Sequence, residues 1–126
     1  MNAEKFLSQI HKIDRDLEAL LNEGETLKKL AERCAELEAK KAARKLTAHL
    51  RKINDKVNDY MKARQNVQTV IEVVNDDDCR LLLTKRYLNC EGWEYIAEEM
   101  HFSRAHIFRM RKKALGLVEG VLKQLR

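Results

Sequence analysis

The chain contains no proline and only four glycines in 126 residues. These residues interrupt helices and build tight turns, so their scarcity excludes a fold of many short elements joined by many turns, such as a β-sandwich. A few long helices are expected instead, and the fold class is read as all-α. The three cysteines, Cys34, Cys79 and Cys90, are an odd number without a Cys-x-x-Cys pair. That excludes a disulfide-stapled scaffold and makes a reducing compartment the expectation. No apolar run approaches the ~20 residues of a membrane span. The start, MNAEKFLSQIHKID, is charged and amphipathic rather than a signal peptide. A cytoplasmic protein without a membrane partner is therefore expected.

Catalytic signals are equally scarce. The chain has no glycine-rich phosphate loop, no nucleophile elbow and no convincing carboxylate pair; Glu94, Glu98 and Glu99 read as a solvated helix face. Cys79, Cys90, His101 and His106 follow one another in finger-like order, but their spacings fit no standard zinc pattern, and the cysteines read as small core residues. The expectation is no enzyme, no metal and no cofactor.

What the chain has is charge and helical periodicity. Its formal net charge is +5 with a pI near 9.2, which suits an acidic partner. Residues 76–100 hold three basic and seven acidic side chains, whereas residues 101–126 hold seven basic and one acidic. Such a sign change within one short stretch implies an oriented electrostatic surface.

Apolar positions step by four and three through Phe6, Ile10, Ile13, Leu17, Leu20, Gly24, Leu27, Ala31 and Cys34. This is a coiled-coil seam, and because it keeps phase across Gly24 one helix is expected from about residue 3 to 38, weakened by roughly 1 kcal/mol at the glycine. A second stripe runs through Leu46, Leu50, Ile53, Val57, Tyr60, Arg64, Val67, Ile71 and Val74, broken only by Arg64. Between them, Glu38–Lys45 offers no apolar anchor larger than alanine, so a turn is expected there despite helix-favouring composition. Residues 1–75 thus read as a helical hairpin for oligomerisation or partner binding. Narrow stripes leave apolar surface for a second copy, so a homodimer is expected.

Asn75-Asp76-Asp77-Asp78 supplies good helix N-caps and opens a domain at 76–126. Cys79, Leu82, Leu83 and Tyr87 mark the buried side of its first helix, and Asn89-Cys90-Glu91-Gly92 ends it. Trp93, Ile96, Ala97 and Met100 then form one face of a two-turn helix. After His101-Phe102-Ser103, a second helix buries Ile107, Met110, Ala114, Leu117, Val118 and Val121, with Ser103 as its N-cap. Two helices and so short a connection make a helix-turn-helix. Its turn carries His101 where glycine is frequent, and histidine is among the residues enriched in the left-handed conformation needed there. Opposite the apolar stripe the second helix, 103–118, presents Ala105, Arg109 and Lys112, flanked by His106, Phe108 and Lys113. That is the face a recognition helix offers the major groove of double-stranded DNA. Arg109 suits bidentate bonding to guanine; Arg104 and His106 suit base edges or phosphates near the helix start; Lys112 and Lys113 suit phosphates. Arg111, nearer the buried side, is expected to pair with Glu98 or Glu99.

Residues 79–115, CRLLLTKRYLNCEGWEYIAEEMHFSRAHIFRMRKKAL, resemble the fourth region of bacterial sigma factors, which reads the −35 promoter element. Over its whole length, with KFLSQIHKID at the start and paired helices before RLLLTKRY, the chain looks like a family of small phage and prophage proteins of Gram-positive bacteria. That family is related to late-gene and autolysin transcriptional regulators. The resemblance implies an accessory transcription regulator in the cytoplasm of a bacterial host, with RNA polymerase as a second partner. It departs from a sigma factor in lacking segments for promoter melting and for the main polymerase contact. Two other readings stay open: a phage small terminase subunit that delivers DNA to a packaging motor, and an interaction module that uses the hairpin to grip polymerase.

Overall fold

A computed structural model describes residues 2–125. They are all-helical, with no strand among them. The helices are α1 (Ala3–Arg33), α2 (Glu36–Val73), α3 (Asp77–Leu83), α4 (Trp93–Met100) and α5 (Arg104–Gln124), and α3 runs on into a π-helical turn at Thr84–Leu88. None of the described helices is long and apolar enough to cross a membrane.

The turn between α1 and α2 falls at Cys34-Ala35, not in Glu38–Lys45, so α1 stops five residues short of the expected 38. EAKKAARK instead lies within the first three turns of α2, as its alanine, lysine and glutamate content favours. The missing large anchor there is supplied by Ala42, which is buried.

The described residues cluster into two compact units, one formed by residues 12–62 and the other by residues up to 11 together with those from 63 onward. The division differs from a boundary at 75/76, because the start of α1 and the end of α2 each belong with the C-terminal helices. In the 12–62 unit α1 and α2 run antiparallel: Asp16 pairs with Lys56 at 3.8 Å, and His49 Nε2–H donates to the Leu20 carbonyl at 2.6 Å. The first seam is buried or half-buried throughout, as its spacing predicted. The second differs at one position. His49, 5% exposed, faces α1 where Leu50 was expected, and Leu50 is 52% exposed. The buried stripe of α2 is thus Ala42, Leu46, His49, Ile53 and Tyr60, one residue away from the expected phase at its centre. Gly24 explains the substitution. A Cβ there would lie 3.3 Å from Ile53 Cδ1 and 3.4 Å from the His49 ring, so the helices approach closely enough to seat an imidazole against backbone.

In the other unit the core is Leu7, Ile10, Val67, Val74, Leu82, Leu83, Tyr87, Ile96 and Val118. Tyr87, 1% exposed, donates its hydroxyl to Glu4 Oε2 at 2.8 Å and stacks on His11 with ring centroids 5.9 Å apart. Burial, reinforced by the Glu4 carboxylate, pushes the phenol well above its ordinary range. Asn2 caps α1 through the Lys5 amide at 2.8 Å, and Glu119 of α5 accepts from the Ala3 amide at 2.8 Å. Arg64, the break in the second stripe, donates to the Leu88 carbonyl at 2.7 Å, satisfying a group that the π-turn leaves without a helical partner.

Glycines in the two units should respond oppositely to substitution. Gly24→Val should lower the melting temperature by the equivalent of ~1–3 kcal/mol through overpacking, despite relieving the glycine's helix penalty. Gly116→Ala, where an added Cβ meets nothing within 4 Å, should raise it by up to ~1 kcal/mol. Thermal unfolding by circular dichroism measures both; stabilisation of the Gly24→Val chain would mean that α1 and α2 are not closely packed there.

Candidate nucleic-acid interface

The site is assembled from α3 outward. Asp76 is the N-cap of α3, its Oδ1 accepting from the Cys79 amide at 2.9 Å. Its other oxygen lies 2.9 Å from Lys113 Nζ of α5. The Cys79 amide first, and then the Lys113 ammonium, hold the Asp76 carboxyl at about 2, below its ordinary 3.8. Burial, with Asp76 alongside, pushes the Cys79 thiol up to about 11. It is a protonated core residue, as expected, and not a nucleophile; Cys34 is half-buried and Cys90 is exposed, so the expectation of core cysteines is corrected for Cys90.

Following α3, the π-turn ends with the Asn89 amide bonded to the Thr84 carbonyl at 2.9 Å, and Cys90 takes a positive φ of 57° where the chain reverses. Trp93 opens α4 with its ring against two guanidinium groups, Arg86 at 5.1 Å and Arg111 at 5.2 Å from the centroid. Arg111 also lies 3.8 Å from Glu4. The expected pairing of Arg111 with Glu98 or Glu99 is therefore corrected: Glu99 is bonded by Lys85, and Arg111 turns inward toward Trp93 and α1.

The connection from α4 to α5 follows the helix-ending rules closely. His101 has φ 58° and ψ 37°, left-handed as anticipated for the turn position. The Phe102 amide reaches back to the Ala97 carbonyl at 2.9 Å and the His101 amide to that of Glu98 at 3.2 Å, a Schellman pattern. Ser103 then caps α5, its Oγ accepting from the His106 amide at 3.1 Å. Ile107, Ala114 and Val118 are buried, and Met110, Leu117 and Val121 half-buried. Their common face fixes which side of α5 looks outward.

On that outer side Arg104, Ala105, Phe108, Arg109, Lys112 and Lys113 are all exposed, and Ser103 is exposed at its start. The eight residues singled out from sequence are not equivalent, however. Arg109 has no hydrogen-bond or ion-pair partner among the described residues. Lys112 lies 5.2 Å from the centre of the Phe108 ring, and this large apolar side chain is 56% exposed in the middle of a basic face. Arg104 bonds Glu94 at 3.2 Å, with both side chains about nine-tenths exposed, so the pair is weak and easily exchanged. His106 is half-buried edge-on to Phe102, with centroids 4.2 Å apart. The Ser103 hydroxyl is occupied as a cap, and Lys113 is occupied by Asp76. Beyond Lys112 the outer stripe continues into Gly116 and Gly120, which offer no side chain. The free basic surface is thus a compact patch at the first three turns of α5. Sequence spacing located it but gave no sign of the Asp76–Lys113 pair, whose members are 37 positions apart.

No group of three or more His, Cys, Asp or Glu side chains among the described residues is arranged to hold a metal ion. No known protein family, curated protein or solved structure matches the chain.

The Asp76 pairing predicts an acid limb of stability. Because its carboxyl is depressed in the folded chain, its contribution is fully present above the ordinary value of 3.8 and is lost as pH falls toward about 2. Melting temperature should fall across that window, and Asp76→Ala should start lower at neutral pH with a shallower slope between pH 4 and 2. Parallel pH profiles for the two chains would remove Asp76 from this role.

Proposed function

We propose that the chain is a sequence-specific regulator of transcription that binds double-stranded DNA. In this reading α1 and α2 form a hairpin, and α4 and α5 form a helix-turn-helix of the kind found in the fourth region of sigma factors. The regulator is phage- or prophage-encoded and acts in the cytoplasm of its bacterial host, beside RNA polymerase. The observation that carries the reading is the outer face of α5. An exposed phenylalanine, the unpartnered arginine beside it and a lysine one turn on lie opposite a buried and half-buried apolar stripe, on a helix capped directly after a three-residue connection.

That face has the mixture that base readout requires. A guanidinium without an internal partner is available for the O6 and N7 acceptors of guanine, and an aromatic edge suits the thymine methyl group. Phosphate contacts fall to Arg104, by exchange of Glu94, to Lys112, and to Lys113 by release of Asp76. The exposed carboxylates of Glu94 and Glu98 on α4 confine the positive field to α5, which favours one docking orientation over general adhesion to polyanions.

The test is selection of bound fragments from random duplex pools, followed by affinity measurement on the enriched site. With about three phosphates neutralised, the logarithm of affinity should fall against that of salt with a slope near −3. Arg109→Ala should cost ~1–3 kcal/mol on that site and relax one or two base positions, whereas Lys112→Ala should weaken all duplexes alike and reduce the slope by about one. Replacing thymine by deoxyuridine should reproduce the specificity loss of Phe108→Ala. Ile107→Asp should abolish binding through loss of folding, visible as lost helicity. No enrichment of any duplex by the folded chain would overturn the reading.

A further inference from the structure

The outward side of α2 within the 12–62 unit carries a second heptad seam. Ala43, Thr47, Leu50, Asn54, Val57 and Met61 recur at steps of four, three, four, three and four, the spacing that keeps one stripe facing a partner helix. It lies about 100° around the helix from the Ala42, Leu46, His49, Ile53 and Tyr60 stripe that packs on α1. All six positions are exposed except Val57, which is half-buried; Leu50 is 52% and Met61 64% exposed. Shallow grooves follow this side of the helix, one at Ala43, Thr47 and Ala48 and the next at Thr47, Leu50 and Asn54. The other exposed leucines make no such line: Leu21 and Leu30 lie half a turn apart around α1.

We infer that this seam is a self-complementary surface on which α2 of a second copy packs antiparallel, so that two chains join about a dyad near Lys52. The seam is symmetric about that point. In the antiparallel pairing Ala43 lies opposite Met61 of the other copy, Thr47 opposite Val57, and Leu50 opposite Asn54, so small or polar positions receive large ones, as an isologous interface demands. Burial of Thr47 leaves no hydroxyl stranded, because its Oγ1 already donates to the Ala43 carbonyl at 3.0 Å. The two Asn54 amides fall ~6 Å apart along the axis and can bond one another, the register-fixing role of a buried amide in a seam. At the centre Arg51 of each copy lies ~3 Å along the axis from both Asp55 and Arg51 of the other, so the two carboxylates offset the like charges that meet at the dyad; neither Arg51 nor Asp55 has an ion-pair partner among the described residues. The seam spans ~27 Å, and two helices in contact over that length bury roughly 1,000 Å² in total, near the lower bound for a specific interface. Association in the micromolar range follows.

Light scattering of the full chain without DNA tests this independently of the nucleic-acid reading. A mass near twice 14.8 kDa is expected at ~100 µM, falling toward one chain at the lowest detectable concentration. Leu50→Asp with Met61→Asp should give one chain at every concentration with unchanged helicity, since both side chains point away from α1. Orientation is read by cross-linking in a Cys34→Ser, Cys90→Ser background. A mixture of Ala43→Cys and Met61→Cys chains should form a disulfide-linked pair, while Ala43→Cys alone, with its thiols ~27 Å apart across the dyad, should not. A parent chain that stays monomeric, a double variant that still pairs, or self-cross-linking of the Ala43→Cys chain would each overturn the inference. Loss of DNA binding with the dimer intact would count only against the proposed function.

Discussion

Burial of Tyr87 is the constraint from which the C-terminal unit is organised. A phenol that is 1% exposed must find an acceptor inside the protein. Among the described residues the acceptor bonded to it is Glu4, 83 positions away in sequence. Bringing Glu4 inward in turn recruits Arg111, which balances the carboxylate and lies against Trp93. One buried hydroxyl thereby ties α1 to the π-turn, to α4 and to α5. Arg111, already on the inner side of α5, is thereby engaged within the unit, so that the residues left free on the outer face are a selection and not simply every basic side chain of the segment.

The same logic of satisfying buried polar groups governs the ends of the helices. Arg64 looks like an error in an apolar stripe until its guanidinium is seen on the Leu88 carbonyl. Glu119, the single acidic residue of the basic C-terminal segment, is spent on the first amide of α1. Asp76 caps α3 and holds Lys113. Arg64 and Glu119 violate the local pattern around them because a distant backbone group requires it, while Asp76 follows its local capping pattern and in addition holds a distant charge. In the 12–62 unit His49 plays the comparable part, a polar side chain admitted to the seam because Gly24 leaves room and the Leu20 carbonyl accepts its proton.

Functionally, the consequence is a division of labour around α5. Its inner face is closed by Ile107, Ala114 and Val118, its flanks are engaged by Asp76 and by Glu4, and what remains outside is short, basic and carries one aromatic. A proposed DNA reader built this way keeps its specificity determinants, Phe108 and Arg109, on a rigid helix; of its phosphate contacts Lys112 is free, while Arg104 and Lys113 must first leave Glu94 and Asp76. The pairs Arg104–Glu94 and Lys113–Asp76 are then exchangeable latches, which hold those cations near the surface without burying them.

Sequence alone determined the all-helical class, the first seam, a cap within residues 75–78, the Ser103 cap, the left-handed His101 and the two faces of α5. All of these are set by residues within one or two helical turns of each other, where 3.6-residue periodicity and capping chemistry act directly. Tertiary structure decided the remainder. The turn moved to Cys34-Ala35 because composition cannot fix where two helices must part, only that both are willing to continue. His49 displaced Leu50 from the seam because Gly24 lies opposite. Arg111 turned to Glu4, and Lys113 to Asp76, across separations that no periodicity encodes. Side-chain direction is legible from neighbours along a helix, but the partner of a charged group is chosen by which distant element the core brings within a few ångströms.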